Sequence, residues 1–453
     1  MINLFEYQNK VDLDKNLEGL AGFLDEIWIN RELNSFYSEN GGNKSESQRF
    51  LQFIYRTNEL KSNKYIGTIH YQGNKINLLP KIFFDPSREF STTQINQAQN
   101  HILWWLSYCR KIKFPNYHSS LDSAKSDFFE VLIYLYSKYT KKLLSSTIYQ
   151  QYEEISREVT FIKGRLDINS YINDNLGKAK WHKISCTYDA FIFDNEFNRI
   201  IKYVTTLLFN ATLSQDNKKN LREILYILDE VSYEKKTAEQ CARISFNPMF
   251  GDFETVRDYC HLFLTNCISF DFKNELKLFA FLLPMEYVFE DFIFGFIDKE
   301  IPEITAKSQR SDTYLDESGR FQLKPDLWLK LPHKCIIADT KYKIVYSNEH
   351  DPKNGISQND LYQMVAYSIR YKVDEIILFY PDTIKDYQDS STEFVIKDTH
   401  ANDKEIMIKA FQLPIINREL FDQKLDPTKT LKEIFEPTKE ELKHKLLSIM
   451  KME

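Results

Sequence analysis

The stretch KPDLWLKLPHKCIIADTKYK, residues 324–343, decides how this 453-residue chain is read. It holds Pro325-Asp326, a short turn at Pro332-His333-Lys334, and an apolar run from Cys335 to Ala338 that ends in Asp339-Thr340-Lys341. Read as a hairpin, it brings Asp326 and Asp339 together. Two carboxylates held close repel each other, and that cost is offset when a divalent cation or a shared proton sits between them. Asp339 and Lys341 are two apart on a strand, so their side chains project from one face. A magnesium ion held by both aspartates would then lie beside an ammonium group. That combination suits phosphodiester hydrolysis: the metal lowers the pKa of a bound water and neutralises developing charge, while the lysine orients or polarises the nucleophile. Lysine serves better than arginine here because its pKa can be shifted.

Working outward, SQNDLYQMVAYSIRYK reads as a helix near 358–371. Ser357 with Asp360 has capping-box spacing, and Leu361, Met364, Val365 and Ile369 form an apolar stripe. Gln363 and Tyr367 are four apart and share another face. A glutamine can serve a phosphate-bound water, and a tyrosine can hydrogen-bond or stack at the strand being cut. Upstream, Glu286 and Glu290 are four apart in the otherwise apolar helix MEYVFEDFIFGFI, entered through Pro284. Carboxylates are rarely buried without a partner, and a metal is one such partner.

These residues carry a resemblance. P-D, then D-x-K after a hairpin, then a helix with QxxxY, resembles the PD-(D/E)xK nuclease superfamily, in the arrangement also seen in RecB-like members. More narrowly, KPDLWL, ADTKYK, DLYQMVAYSIRYK and ILFYP, all within 324–381, are similar to the nuclease region of the McrC family, the cleavage subunit of McrBC-type modification-dependent restriction systems. FEDF (289–292), KGRLDI (163–168), CTYDAFIFDNEFNRIIKY (186–203) and NLLPKI (77–82) resemble further blocks of that family.

The resemblance implies a DNA endonuclease subunit that cuts methylated double-stranded DNA when docked on a hexameric McrB-type AAA+ GTPase. In that family the partner reads the modified base and moves the DNA, and the N-terminal part of the McrC-like subunit stimulates the GTPase. Carried over, Asp326 and Asp339 would bind Mg2+ (or Mn2+), Lys341 would be the catalytic lysine, and Gln363 and Tyr367 its support. Glu290 would be a further metal or helix carboxylate. It is preferred to Glu286 because it occupies the position in FE that the family pattern keeps.

The alternation of strand, helix and strand after residue 271 argues an α/β core, α+β over the whole chain, and the resemblance implies a mixed sheet flanked by helices. Three regions are expected: 1–95, mixed, with a hairpin in YIGTIHYQGNKINLLPKIFF turning at Gln72-Gly73-Asn74-Lys75 and ended by Pro80; 96–270, mainly helical with short strands; and 271–453, the nuclease domain. The first is expected to dock the motor partner. The lysine-rich end, with helical spacing in ELKHKLLSIM, reads as a solvated terminal helix. Trp104-Trp105 reads as core rather than a base-stacking platform.

Several classes are excluded. Only 12 residues are glycine, against a usual share of about 7%, and no GxGxxG or GxxxxGK occurs, so the chain carries no recognisable nucleotide-binding loop. With 59 basic and 65 acidic side chains, it has no overall field to attract a polyanion. DNA contact must then be local or assisted. Six cysteines (Cys109, Cys186, Cys241, Cys260, Cys267, Cys335) form no CxxC pair, which points to a reducing cytoplasm and away from a zinc site. No signal peptide and no apolar run of about 18 residues is found, so neither secretion nor a membrane span is expected. No histidine pair has zinc-ligand spacing, and His101 and His261 read as structural or exposed. Two other readings share these residues: an activator or scaffold of the motor with a non-cutting nuclease-like domain, and a self-sufficient RecB-like exonuclease.

Overall fold

Alternating apolar residues place YIGTIHY and NKINLL in antiparallel strands, Tyr65–Tyr71 and Asn74–Leu79, with Tyr71 opposite Asn74. That hairpin is the one expected, and Pro80 ends its second strand as the N-cap of a short 3-10 turn, Lys81–Phe83. Gln72 and Gly73 of its turn lie outside the described residues. The computed structural model describes residues 2–13, 17, 19–22, 24, 50–71, 74–87, 90–110, 128–272, 275–308, 313–331, 334–347, 350–385, 387, 391–398, 404–422 and 430–451.

Contacts divide the chain into two units, Met1–Val131 with Thr265–Glu453, and Leu132–Leu264. The first unit contains a five-stranded sheet in the order Ile2–Phe5, Asn74–Leu79, Tyr65–Tyr71, Glu275–Pro284, Cys267–Phe272. Gly67 lies at φ +135°, and a Cβ there would stand 1.9 Å from the Phe281 carbonyl oxygen, so glycine lets the strands Tyr65–Tyr71 and Glu275–Pro284 pair closely. This pairing crosses the borders expected at 95 and 270. Those borders do not coincide with the two units, because residues 267–284 complete a sheet begun near the N-terminus.

The other large sheet of this unit has six strands: Thr305–Ser308, Leu327–Lys330, Cys335–Thr340, Glu375–Pro381, Lys404–Leu413 and Ser391–Asp398, in that order. Leu327–Lys330 and Cys335–Thr340 are antiparallel, and Pro332 and His333 between them lie outside the described residues. Cys335–Thr340, Glu375–Pro381 and Lys404–Leu413 run parallel. A parallel pair needs a crossover, and the helix Gln358–Tyr371 supplies it. Strand, helix and strand therefore alternate as expected, in a mixed α/β architecture.

Helices Thr92–Tyr108 and Met285–Glu300 pack so closely that a Cβ on Gly295 would meet the Tyr108 carbonyl oxygen at 1.9 Å. Trp104 and Trp105 are core, as read. Trp104 stacks on Phe435 with centroids 4.8 Å apart, and the Trp105 indole N–H donates to the Ile415 carbonyl at 3.2 Å. Phe435 belongs to the terminal helix Leu431–Met450, which also buries Leu442 and Leu446. That helix was expected to be solvated, but its apolar residues at three and four spacing form one face that is packed into the core. His101 is structural: its Nδ1–H donates to the Gln97 carbonyl at 2.7 Å and its Nε2 accepts from the Asn417 amide at 3.0 Å.

The second unit joins a small sheet, in the order Gln151–Val159, Ile184–Ile192, Arg165–Leu166, to helices that include Glu196–Ala211 and Gln215–Ile227. The side chains of Asn195 and Ser214 cap the two helices. Tyr149, Phe197, Phe246 and Phe253 meet edge to face in its core. Among the described residues no helix is long and apolar enough to cross a membrane. Cys109, Cys186, Cys241 and Cys260 are buried thiols, and Cys335 is exposed.

Candidate active site

The hairpin register sets Leu327 opposite Ala338, so the preceding Asp326 and the following Asp339 meet at one end of the strand pair. Thr340 fixes Asp326: its amide and its hydroxyl both donate to Asp326 Oδ2, at 2.8 and 2.7 Å. Asp339 is fully buried, and its Oδ1 has no hydrogen-bond partner. Burial pushes the Asp339 carboxyl well above its ordinary pKa, and the Asp326 charge raises it further, against the opposing pull of Lys341.

Lys341 lies just past the strand end, where its amide donates to the Phe379 carbonyl at 2.8 Å. Its ammonium pairs with Asp339 Oδ2 on the same face, as the two-residue spacing requires. Burial alone would lower its pKa, but the charges of Asp339 and Asp326 win and hold it above the ordinary lysine value. The shiftable lysine of the sequence reading is thus shifted upward, into a fixed cation.

The helix Gln358–Tyr371 completes the site. Lys341 Nζ donates to Gln363 Oε1 at 3.1 Å, Gln363 Nε2 donates to the Tyr367 hydroxyl at 2.7 Å, and that hydroxyl donates to the Lys324 carbonyl at 3.0 Å. The chain of bonds returns to the residue before Pro325-Asp326. Tyr367 is buried, and burial with the nearby Asp339 charge raises its pKa, so it stays a neutral donor.

Other expectations fare differently. Ser357 is the N-cap, but its side chain makes no capping bond. Asp360 turns instead to Lys343, whose ammonium donates to both carboxylate oxygens at 2.8 Å. The buried face of the helix is Asp360, Met364, Tyr367 and Ser368, whereas Ile369 is exposed, so the apolar stripe is rotated towards Tyr367. Glu290 is buried and Glu286 exposed on the helix Met285–Glu300. Among the described residues no three His, Cys, Asp or Glu side chains form a group that could hold a metal ion.

Sequence reasoning missed Thr340, the variable position inside D-x-K. It also missed a buried neighbour of the site. Lys81 lies 4.4 Å over the Tyr342 ring, next to Glu6, which is fully buried with its pKa raised to about 7, mainly by burial.

An orphaned, fully buried carboxylate oxygen beside a second carboxylate is the environment a hard divalent cation satisfies. The all-oxygen donors Asp326 and Asp339 fit Mg2+ or Mn2+ better than a softer metal.

A family model described as McrBC 5-methylcytosine restriction system component matches residues 60–381. Among solved structures, the chain is similar to one in the refined half-complex from a tetradecameric assembly of Thermococcus gammatolerans McrB AAA+ hexamers with bound McrC. The identity is 18% and the TM-score 0.61, over 96% of this chain and 99% of that one. A chain of the cryo-EM structure of the Thermococcus gammatolerans McrBC complex matches at 18% identity over 66% of this chain and 88% of that chain, with a TM-score of 0.46. No curated protein matches. Because the family model covers well over half of the residues, this chain belongs to the McrBC 5-methylcytosine restriction system component family.

Proposed function

We propose that this chain is the DNA-cutting subunit of a McrBC-type restriction complex, a metal-dependent endonuclease of PD-(D/E)xK type that works while docked on an AAA+ GTPase. The observation that carries the reading is the convergence of Asp326, Asp339 and Lys341 at one strand end, with Lys341 tied to Gln363 and Tyr367. Asp326 and Asp339 would hold Mg2+ or Mn2+, which when bound lowers the pKa of a water and offsets charge on the phosphate.

The remaining work falls to the chain itself. Thr340 holds Asp326 in place through two hydrogen bonds. Lys341, kept protonated by Asp339, donates to a non-bridging phosphate oxygen as charge develops there. Gln363 restricts the swing of that ammonium, and Tyr367 fixes Gln363 against the Lys324 carbonyl. Such preorganisation spares reorganisation at the moment of reaction.

A partner is supported by two considerations. The similar solved chain belongs to an assembly of McrB AAA+ hexamers with bound McrC. This chain also has a formal net charge of −6 and needs help to hold DNA. Region 1–95 is the proposed docking region, and stimulation of the partner GTPase is the proposed consequence. The test is cleavage of methylated duplex DNA by this protein with its cognate GTPase, GTP and magnesium. Cutting that disappears in Asp339→Ala and Lys341→Ala, with GTPase stimulation retained, is the expected result. Undiminished cutting by those variants refutes the site. Degradation of DNA ends without the partner would support the exonuclease reading instead, and stimulation without any cutting would support the scaffold.

A further inference from the structure

The helix that restrains Lys341 also grips a second feature. Strands Thr313–Tyr314 and Gln322–Leu323 pair as a small antiparallel hairpin. Its loop is internally braced: Asp316 Oδ1 accepts from the amides of Arg320 and Phe321, both at 2.9 Å, and the Leu315 amide donates to the Phe321 carbonyl at 2.8 Å. The hairpin base is fixed from the helix Gln358–Tyr371. Arg370 Nε donates to the Tyr314 carbonyl at 2.7 Å, and the Tyr371 hydroxyl donates to the Leu323 carbonyl at 3.2 Å. Tyr367, already bound to Gln363, takes the next carbonyl, that of Lys324.

The brace presents two apolar side chains outward among charged ones. Phe321 is 63% exposed and Leu315 48%, with Arg320 and Lys324 exposed alongside. A ring left in water forfeits its burial energy, and here the backbone holds it there.

Phe321 precedes Asp326 by five residues, so extended chain limits their separation to about 17 Å, or roughly five base steps along one strand of a duplex. Any phosphodiester seated at Asp326 and Asp339 therefore brings neighbouring bases within reach of this hairpin, inside about half a helical turn. A planar apolar ring suits a base face, and flanking cations suit phosphate.

We infer that the hairpin 313–323 is a DNA-strand wedge, in which Phe321 stacks against a base near the scissile phosphate while Arg320 and Lys324 hold the adjoining backbone. The inference rests on the nuclease reading above and adds a substrate contact to it. The shared helix then sets the distance between the wedge and the Lys341 ammonium, so strand grip and reaction centre move as one body.

The test uses the full chain with its cognate GTPase, magnesium, and methylated duplexes carrying 2-aminopurine at successive steps beside the cut. In Phe321→Ala the KM for duplex should rise about tenfold while kcat falls less, and the fluorescence gain at one step should vanish. Phe321→Trp should restore both, and the thermal midpoint of Phe321→Ala should equal that of the wild type. Unchanged KM and fluorescence in Phe321→Ala overturn the wedge. So does an unchanged duplex affinity accompanied by conversion of a dimer to a monomer, which would assign the patch to a second copy of the chain. If the wild type binds duplex without cutting it, the nuclease reading fails by itself. Fluorescence anisotropy of duplex binding, wild type against Phe321→Ala, still decides the wedge.

Discussion

Lys341 Nζ donates to Gln363 Oε1 at 3.1 Å, so the ammonium that faces Asp339 is held from a different element of the fold. Gln363→Leu keeps the volume and removes the amide. A hydrogen bond to a charged group contributes about 1.5–3 kcal/mol, so kcat for DNA cleavage should fall roughly ten- to a hundredfold. Lys341→Ala should fall further. Equal cutting by Gln363→Leu and the wild type would remove the amide from the working parts of the site.

Magnesium should stabilise the protein through Asp339. Its carboxyl is held above the ordinary value, first by burial and then by Asp326, so the folded chain binds this proton more tightly than the unfolded one. The sign follows: stability from this group is present below the ordinary carboxylate pKa and is lost as pH rises through the raised one. A bound cation reverses that loss by favouring the charged form. Thermal melting should therefore show a magnesium-dependent rise that is larger in alkaline than in mildly acidic buffer. At a hundred times its Kd the ion contributes about 2.7 kcal/mol. Asp339→Asn should show no such rise; an equal rise in the variant places the ion elsewhere.

His101 should make the fold acid-sensitive. Burial lowers its pKa to about 3, because the imidazole sits among Phe83, Phe421 and Phe435 with Nε2 already accepting from Asn417. An unfolded histidine takes up its proton near pH 6.5, so stability is full above that pH and declines as pH falls towards 3. The slope should approach about 1.4 kcal/mol per pH unit for this one group. Urea denaturation across that window should show a shallower slope in His101→Gln than in the wild type. Identical slopes would mean that other groups govern acid unfolding.

Gly295→Ala should destabilise the chain, because its Cβ would stand 1.9 Å from the Tyr108 carbonyl oxygen and two helices must part to admit it. Overpacking of this kind costs about 1–3 kcal/mol. Gly251→Ala, whose Cβ finds its nearest atom at 3.4 Å, should stay within about 0.5 kcal/mol of the wild type. Denaturant midpoints of the two variants check the contrast; equal midpoints would show that the helix pair yields without cost.

The elements around the candidate site were legible in the sequence where local pattern and chemistry coincide. Cys335 to Ala338 is an apolar run that ends in charge, and an apolar run ending in charge reads as a strand end bearing functional groups. The helix at 358–371 and the strand EIILFYP were legible from periodicity alone. Its buried face was not, because Tyr367 counts as half-polar on any scale and only its bond to the Lys324 carbonyl shows why it turns inward. Asp360 misled for a similar reason: capping spacing is local, whereas its partner Lys343 comes from the segment after the strand Cys335–Thr340. Thr340 was invisible, since nothing in D-x-K distinguishes a threonine that restrains Asp326 from one that faces solvent. The regional borders were illegible because sheet pairing between 65–71 and 275–284 leaves no mark in either segment.

That last pairing has a consequence for how the molecule is made. Tyr65 pairs with Pro284 and Tyr71 with Leu278, so the first sheet stays incomplete until about 210 further residues have been translated. At ribosomal rates of about 5–20 residues per second this is a wait of roughly 10 to 40 s. During it, the edge of Tyr65–Tyr71 is an unpaired strand of largely apolar residues, open to the wrong partner. Fragments ending near residue 95 should therefore collect as aggregates, and successful production of this protein depends on the ribosome reaching Pro284 before that edge finds another copy of itself.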